Sequence, residues 1–350
     1  ETPYAKLVTQ LFGDRMYIAN ATGCSSIWGG SEPSTPYTTN KAGRGPAWGN
    51  SLFEDNAEYG LGMFLAQDTL RGRAQEHLKA LCEKAKPEMQ ELIKAYFDTA
   101  NDGTANLNAT TALVNALEKC DCDNADKKEV LRLKNYLSKK SNWILGGDGW
   151  AYDIGFSGID HVLASRDNIK ILVLDSQVYS NTGGQSSKAS PKGAIASFAS
   201  TGKKTNKKDL ARIAMSYPDA YVAQISLGAN PMQAIKAFKE ASEHNGPAII
   251  IAYTPCISHG IKGGMEHSID MEKLATESGY FLTFRRSPEN GFTLDSKNVD
   301  FDKYEEFLNS QTRFNMLKVI NPDKADELLQ ANKEYAMNTY NYYNDLNNKG

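Results

Sequence analysis

Two runs in the second half of the chain leave little choice of architecture. Residues 169–175 (IKILVLD) and 248–256 (AIIIAYTPC) are apolar at consecutive rather than alternate positions, the pattern of strands covered on both faces of a parallel sheet. Further β-rich runs lie at residues 15–23 (RMYIANATG) and 221–227 (YVAQISL). Helical patterns fall between them. Residues 208–216 carry apolar Leu210, Ile213 and Ala214, and residues 231–242 open with Asn230 as cap and Pro231 at the first helical position. This alternation predicts an α/β fold built on a doubly wound, mainly parallel sheet.

Residues 70–140 break the rhythm. Ala74, Leu78, Leu81, Ala85, Met89, Leu92 and Tyr96 recur at helical spacing, with Pro87 as a kink or restart, and shorter pieces of the same pattern follow. A helical insertion is expected there. Residues 291–350 are expected to form a helical segment and tail, whose last twenty residues, rich in Asn, Tyr and Lys, offer little to anchor them. No internal repeat is present.

Composition narrows the function classes. With 41% hydrophobic and 23% charged residues and a formal charge of -3, the chain reads as a soluble globular protein without the basic stripe that nucleic acid requires. No apolar run reaches the roughly 20 residues that span a bilayer, and no charged-then-apolar leader stands at the start. Neither nucleic acid nor a membrane is an expected partner. Cys24, Cys82, Cys120, Cys122 and Cys256 are too few and scattered for a disulfide framework. The first residue is Glu1 and structured sequence begins at once, so the chain is expected to be part of a longer polypeptide.

The chemistry concentrates in residues 147–155 (GDGWAYDIG). A Gly-x-Gly turn after a strand ordinarily brings bare backbone N–H groups to a pyrophosphate, yet Asp148 sets a negative charge where the phosphates would lie. Residues 143–145 read as the strand end, 146–149 as the turn and 152–163 as the following helix, while the strand at 169–175 runs straight into SQVYSNTGGQ at 176–185. In a parallel sheet the two strand ends share one edge, so Asp148 can meet the 176–181 loop. A hard divalent cation explains the meeting. Mg²⁺ takes oxygen ligands, commonly one or two carboxylates, and completes its shell with phosphate oxygens. For Asp148 alone a helix cap is the competing structural role, and for Asn181, beside the turn residues 182–184, a purely conformational one.

A Gly-Asp-Gly followed after about thirty residues by an oxygen-ligand loop resembles the thiamine diphosphate motif. The wording of residues 147–188, together with ETPYAKLVTQLFGDRMYIANATGCSSIWGGS, PAWGNSLFEDNAEYG and AYTPCISHGI, resembles the pyruvate:ferredoxin (flavodoxin) oxidoreductases in particular. The resemblance implies oxidative decarboxylation of pyruvate, with acetyl transfer to coenzyme A as co-substrate and single electrons passing through [4Fe-4S] clusters to ferredoxin or flavodoxin. It implies Asp148, Ser176 (where relatives often carry threonine) and the Val178 carbonyl as Mg²⁺ ligands. Glu1, Cys24, Gly147, Asp148, Gly149, Trp150, Ser176, Gln177, Val178, Tyr179, Ser180 and Asn181 would line the thiamine diphosphate, with Asn181 also facing the 2-oxo acid. Cys24 and Cys256 match two of the four cysteines that hold a [4Fe-4S] cluster in relatives. The other two stand there in a Cys-x-x-Cys just ahead of a Gly-Glu-Thr-Pro block, of which Glu1, Thr2 and Pro3 remain here.

On this reading residues 1–69 and 141–290 form the thiamine diphosphate and Mg²⁺ domain, 70–140 the insertion within it and 291–350 the C-terminal segment. The remaining domains of the polypeptide supply the acidic group for the aminopyrimidine, the substrate carboxylate contacts and the coenzyme A site. A homodimer in an anaerobic cytoplasm, or a hydrogenosome-like organelle, is implied as well.

Two other classes compete. A nicotinamide dehydrogenase would use the Gly-Asp-Gly as a degraded dinucleotide turn, against which stand Asp148 itself, Tyr152 where a small residue belongs, and the lack of a clear ribose-binding acid after the next strand. A non-catalytic scaffold or docking module has no need of both halves of a metal site. A relative acting on another 2-oxo acid is the nearer alternative. Elsewhere the bland readings hold: Cys120 and Cys122 as loop thiols, Cys82 as packing and His161 as packed rather than catalytic. His161, His244, His259 and His267 show no metal spacing. Residues 202–208 (GKKTNKK) lack Walker spacing and read as a solvated basic turn that can also help dock an acidic ferredoxin.

Overall fold

The computed structural model describes residues 1–349. Eight strands form one sheet: β1 (Met16–Ala21), β2 (Ala47–Ser51), β3 (Ser141–Gly147), β4 (Lys170–Asp175), β5 (Tyr221–Ile225), β6 (Ala248–Tyr253), β7 (Phe284–Ser287) and β8 (Gly291–Leu294). Their order is β2-β1-β3-β4-β6-β5-β7-β8. The first six pair in parallel, and β7 and β8 add an antiparallel edge.

Successive side chains of a strand point to opposite faces, and here both faces are covered. Ile144, Ile171, Val173, Ile249 and Ile251 enter one core, while Trp143, Leu145, Leu172, Leu174, Ile250 and Ala252 enter the other. The consecutive apolar runs are thus explained, and the sheet is the doubly wound, mainly parallel one the sequence predicts. The helix Pro231–Glu243 starts where expected, with the Asn230 side chain accepting from the Gln233 N–H at 3.0 Å.

Between β2 and β3 lie the helices Asn56–Cys82, Pro87–Asp98, Gly103–Lys119, Ala125–Arg132 and Lys134–Leu137. They enclose a separate core that includes Leu78, Tyr96, Leu113 and Leu137. Pro87 is a restart, standing at the first position of its helix. The first of these helices is shared between two layers: Asn56 donates to the carbonyls of Ala19 and Leu145 at 3.2 and 3.1 Å, and Ala57 belongs to the sheet core. A division at residues 69 and 70 therefore falls inside one continuous helix.

Three strands have no apolar run to betray them. The edge strand β2 is largely polar, and the β7–β8 hairpin carries the sheet to Leu294, so a boundary between residues 290 and 291 splits that hairpin. The tail is also different from expectation. Residues Pro322–Lys349 form one helix, held by Tyr343, whose hydroxyl bonds both Asp209 carboxylate oxygens at 2.9 and 2.8 Å and whose ring lies against Phe284 and Phe292. Asn332, Tyr335 and Asn347 add hydrogen bonds to the rest of the fold, so aromatic and amide side chains anchor the helix where aliphatic periodicity is missing. Gly350, the last residue of the expected tail, lies outside the described residues.

Candidate functional site

The strands β1, β3, β4 and β6 are consecutive neighbours in the sheet, and the four segments that leave their C-terminal ends carry Cys24, Asp148, Ser176 and Cys256. Chain order reverses at β1, with β2 on one side and β3 on the other, and such a reversal opens a crevice at the carboxyl ends of the strands.

Asp148 directly follows β3 and is 1% exposed. Its side chain makes no capping bond to the helical turn behind it, which removes the helix-cap role. Instead Oδ1 accepts from the Ser176 hydroxyl at 2.9 Å and Oδ2 from the Ser187 hydroxyl at 2.5 Å. The Ser176 hydroxyl also lies 3.2 Å from the Val178 carbonyl. One carboxylate, one hydroxyl and one carbonyl therefore converge on a corner. Burial, and then the neighbouring Asp175 carboxylate, push the Asp148 carboxyl up to about 7, against the pull of Ser187, Ser176 and Lys207. A buried carboxylate without a cation in contact is costly, and a divalent cation is the partner these hard oxygen donors suit. Among the described residues no three His, Cys, Asp or Glu side chains gather to bind a metal, so a cation here would depend on the hydroxyl and carbonyl donors.

The turn after Asp148 is wider than an α-helix. Residues Gly149–Ile154 form a π-helical turn, closed by the Gly155 N–H on the Trp150 carbonyl at 2.9 Å, before the helix Phe156–Ser165 begins. The expected single helix over residues 152–163 is thus interrupted. The cause is Trp150. Its buried indole is pressed against Gly146 and Gly155, where an added Cβ would sit 2.4 and 2.2 Å from it. Gly149 is equally constrained by the Tyr179 ring, 2.3 Å from where its Cβ would be, and the Tyr179 hydroxyl donates to the Gly149 carbonyl at 3.2 Å. Gly147 is half-buried, and a Cβ added there would meet only the Leu174 carbonyl, at 3.9 Å.

In the 176–181 loop, Gln177 takes φ +61°, an uncommon conformation for a residue with a side chain. Its amide oxygen is turned inward to the Tyr280 hydroxyl at 2.6 Å and Arg313 at 2.9 Å. The side chains of Gln177 and Trp150 therefore face the core, and only their main chain borders the crevice. Ser180 lies 3.1 Å from the Cys24 thiol. Burial raises the Cys24 pKa; Ser180 and Asn181 oppose this, and Glu1 and Cys256 add to it. Asn181 is exposed, Glu1 accepts from the Trp28 indole at 2.7 Å, and Cys256 is 8% exposed with the Ser258 N–H 3.4 Å from its sulfur.

Several participants carry no sequence signal. His259 is buried; its Nε2 donates to the Ser176 carbonyl at 2.7 Å and its Nδ1 accepts from the Cys256 N–H at 3.3 Å, joining two of the four segments. Burial, then Arg313, lowers its pKa well below the usual imidazole range, which keeps it neutral for that dual role. Of the four lysines in residues 202–208, three turn inward instead of into solvent. Lys203 bonds the carbonyls of Ser187 and Ser190, Lys207 pairs with buried Asp175, and Lys208 bonds the Tyr152 carbonyl over the Phe156 ring. These three are held inward by the fold, whereas Lys204 is exposed. His161, in contrast, is exposed rather than packed.

Residues 132–252 match the family described as thiamine pyrophosphate enzyme, C-terminal TPP binding domain. Over 99% of its length the chain is 46% identical to the pyruvate-flavodoxin oxidoreductase of Klebsiella pneumoniae, covering 30% of that protein. It is 50% identical over 94% of its length to the pyruvate:ferredoxin oxidoreductase of Moorella thermoacetica, covering 29%, and 44% identical over 98% to the mitochondrial pyruvate dehydrogenase [NADP(+)] of Euglena gracilis, covering 19%. The chain thus spans less than a third of the length of these relatives. With Asp148 and Ser176 both inside the matched segment, the chain contains the C-terminal TPP-binding domain of the thiamine pyrophosphate enzymes and belongs with the pyruvate-flavodoxin and pyruvate:ferredoxin oxidoreductases as a homologue of part of them.

Proposed function

We propose that this chain forms the diphosphate and Mg²⁺ half of an active site that oxidatively decarboxylates pyruvate. Overall, pyruvate, coenzyme A and two oxidised one-electron acceptors give acetyl-CoA, CO₂, a proton and two reduced acceptors. The observation that carries the reading is the corner itself: Asp148 Oδ1, the Ser176 hydroxyl and the Val178 carbonyl meet within hydrogen-bond distances at the end of two adjacent parallel strands. Asp148, Ser176 and Val178 would hold the Mg²⁺. Gly147 and Gly149 would offer main-chain donors to the diphosphate. Bound thiamine diphosphate supplies the carbon nucleophile and the electron sink for decarboxylation.

The surrounding residues place and shield that chemistry. Tyr179 closes over Gly149, Trp150 and Gln177 contribute main chain only, and Ser180, Glu1 and exposed Asn181 border the open side, where Asn181 would face the 2-oxo acid. Cys24 and Cys256, each on a segment leaving the carboxyl end of a sheet strand, would supply two thiolates of a [4Fe-4S] cluster whose other ligands lie outside this chain. Ferredoxin or flavodoxin would take the electrons, although one relative is named for NADP(+), so the acceptor is set outside this segment. The remaining domains of the polypeptide, and a second copy of it, would complete the site. A dehydrogenase is disfavoured on a specific ground: Asp175, at the end of the next strand, is buried and engaged by Tyr152 and Lys207, and so is not offered to a ribose.

The test is the complete polypeptide, prepared anaerobically with thiamine diphosphate and Mg²⁺, assayed for pyruvate-dependent reduction of a low-potential dye with and without coenzyme A. Reduction that depends on pyruvate, and that disappears in Asp148→Asn, is expected. No reduction by the unaltered enzyme overturns the activity.

A further inference from the structure

Asp148 presents one oxygen to the cation corner, and the other is turned to Ser187. The segment that follows the 176–181 loop folds back over the site, and the Ser187 hydroxyl, itself accepting from the Ala189 N–H at 3.0 Å, donates to Asp148 Oδ2 at 2.5 Å. Ser190 continues the strap: its hydroxyl accepts from the Ser187 N–H at 2.9 Å and donates to the Gln177 carbonyl at 2.6 Å. Lys203 closes it, bonding the carbonyls of both serines at 2.7 and 2.6 Å. Ser187 and Ser190 are 3% and 1% exposed. The strap therefore grips both halves of the corner, the carboxylate after β3 and the peptide between Ser176 and Val178 after β4. It grips the second at Gln177, where the backbone is in the left-handed region and needs support from its surroundings.

We propose that Ser187 and Ser190, locked by Lys203, are positioning residues of the cation site. Ser187 fixes the rotation of the Asp148 carboxylate so that Oδ1 faces Ser176 and Val178, and Ser190 holds the Gln177 peptide so that the Val178 carbonyl stays on the same point. Neither serine touches the cation. This rests on the Mg²⁺ role given to Asp148 above. Partners of this kind orient metal-ligating carboxylates, and their loss weakens metal binding about 10–100-fold.

The experiment uses the complete polypeptide with thiamine diphosphate and Mn²⁺ as the probe, reading the Mn²⁺ dissociation constant and its electron paramagnetic resonance line shape alongside the melting temperature without metal. Ser187→Ala is expected to weaken Mn²⁺ about 10–100-fold and to broaden the signal, with Ser187→Thr restoring both. Ser190→Ala is expected to do the same to a smaller extent while leaving the contact to Asp148 in place, and it supplies the reading if Ser187→Ala does not fold. Mn²⁺ affinity and line shape unchanged in the folded alanine variants overturn the proposal, as does an affinity loss that Ser187→Thr fails to restore. Asp148→Asn separates the two layers: if it keeps Mn²⁺, the cation role of Asp148 fails, and if it alone loses Mn²⁺, only the strap fails.

Discussion

The helices between β2 and β3 and the loops beyond β3 and β4 solve opposite problems. In the helical layer apolar side chains meet at helical spacing, Asp102 caps the helix Gly103–Lys119 with bonds of 3.0 and 2.8 Å, and exposed charges pair on the outside, as Arg132 does with Glu129. Nearly everything there lowers the energy of the fold locally. At the loops a carboxylate is buried beside a second carboxylate, a helix opens into a π turn around Trp150, and Gln177 is held at positive φ. Each of these features costs stability on its own. They persist because a polar strap and three inward lysines over-determine them, and the difference marks which region is built for order and which for a ligand.

Substitutions should separate the two regions cleanly. The largest effect is expected from Asp148→Asn, which removes the charge at the corner: Mg²⁺-dependent binding of thiamine diphosphate, measured by calorimetry on the complete polypeptide, should be lost at concentrations that saturate the unaltered protein. Leu78→Ala, in the helical core, should lower stability by about 2–5 kcal/mol, read by thermal melting, and leave cofactor affinity where it was. If Leu78→Ala weakens the cofactor as strongly as it weakens the fold, the two regions are not independent.

Acidity gives a third comparison. In the metal-free protein the Asp148 carboxyl sits at about 7, above its unfolded value of 3.8, so the fold holds that proton more tightly than the unfolded chain does. Its stabilising contribution is complete below about pH 4 and fades as the pH rises through 7, at up to about 1.4 kcal/mol per pH unit. Relative to Asp148→Asn, metal-free melting temperature should therefore fall between pH 5 and pH 8, and saturating Mg²⁺ should flatten the difference. The smallest effect belongs to Asp102→Ala, expected to cost about 1 kcal/mol through the lost helix cap, with no dependence on Mg²⁺ at all.

What could be read in advance follows the same division. The strands at residues 169–175 and 248–253 announced themselves because both faces are buried, and the Asn230 cap because its bond spans three residues. Asp148 was legible through its conflict with the glycines around it. Ser187 was not: its bond to Asp148 crosses 39 residues and depends on the path of an irregular loop, which no periodicity encodes. The same holds for Lys203 and Lys207, whose inward bonds cross 16 and 32 residues and whose composition suggested water as their partner. The β7–β8 hairpin carries no aliphatic run because Phe284 and Phe292 pack on each other and on Tyr343 of a distant helix.

The helix Asn56–Cys82 has a consequence for anyone who would cut this protein apart. At 27 residues and about 1.5 Å per residue it is a rod roughly 40 Å long, rooted at its first turn in the main chain of two neighbouring strands and ending among the insertion helices. Excising the insertion at its compositional border would saw through that rod and part its rooted first turn from the helices at its far end. A transplantable module has to be taken with its stem, from Asn56 onward, or not at all.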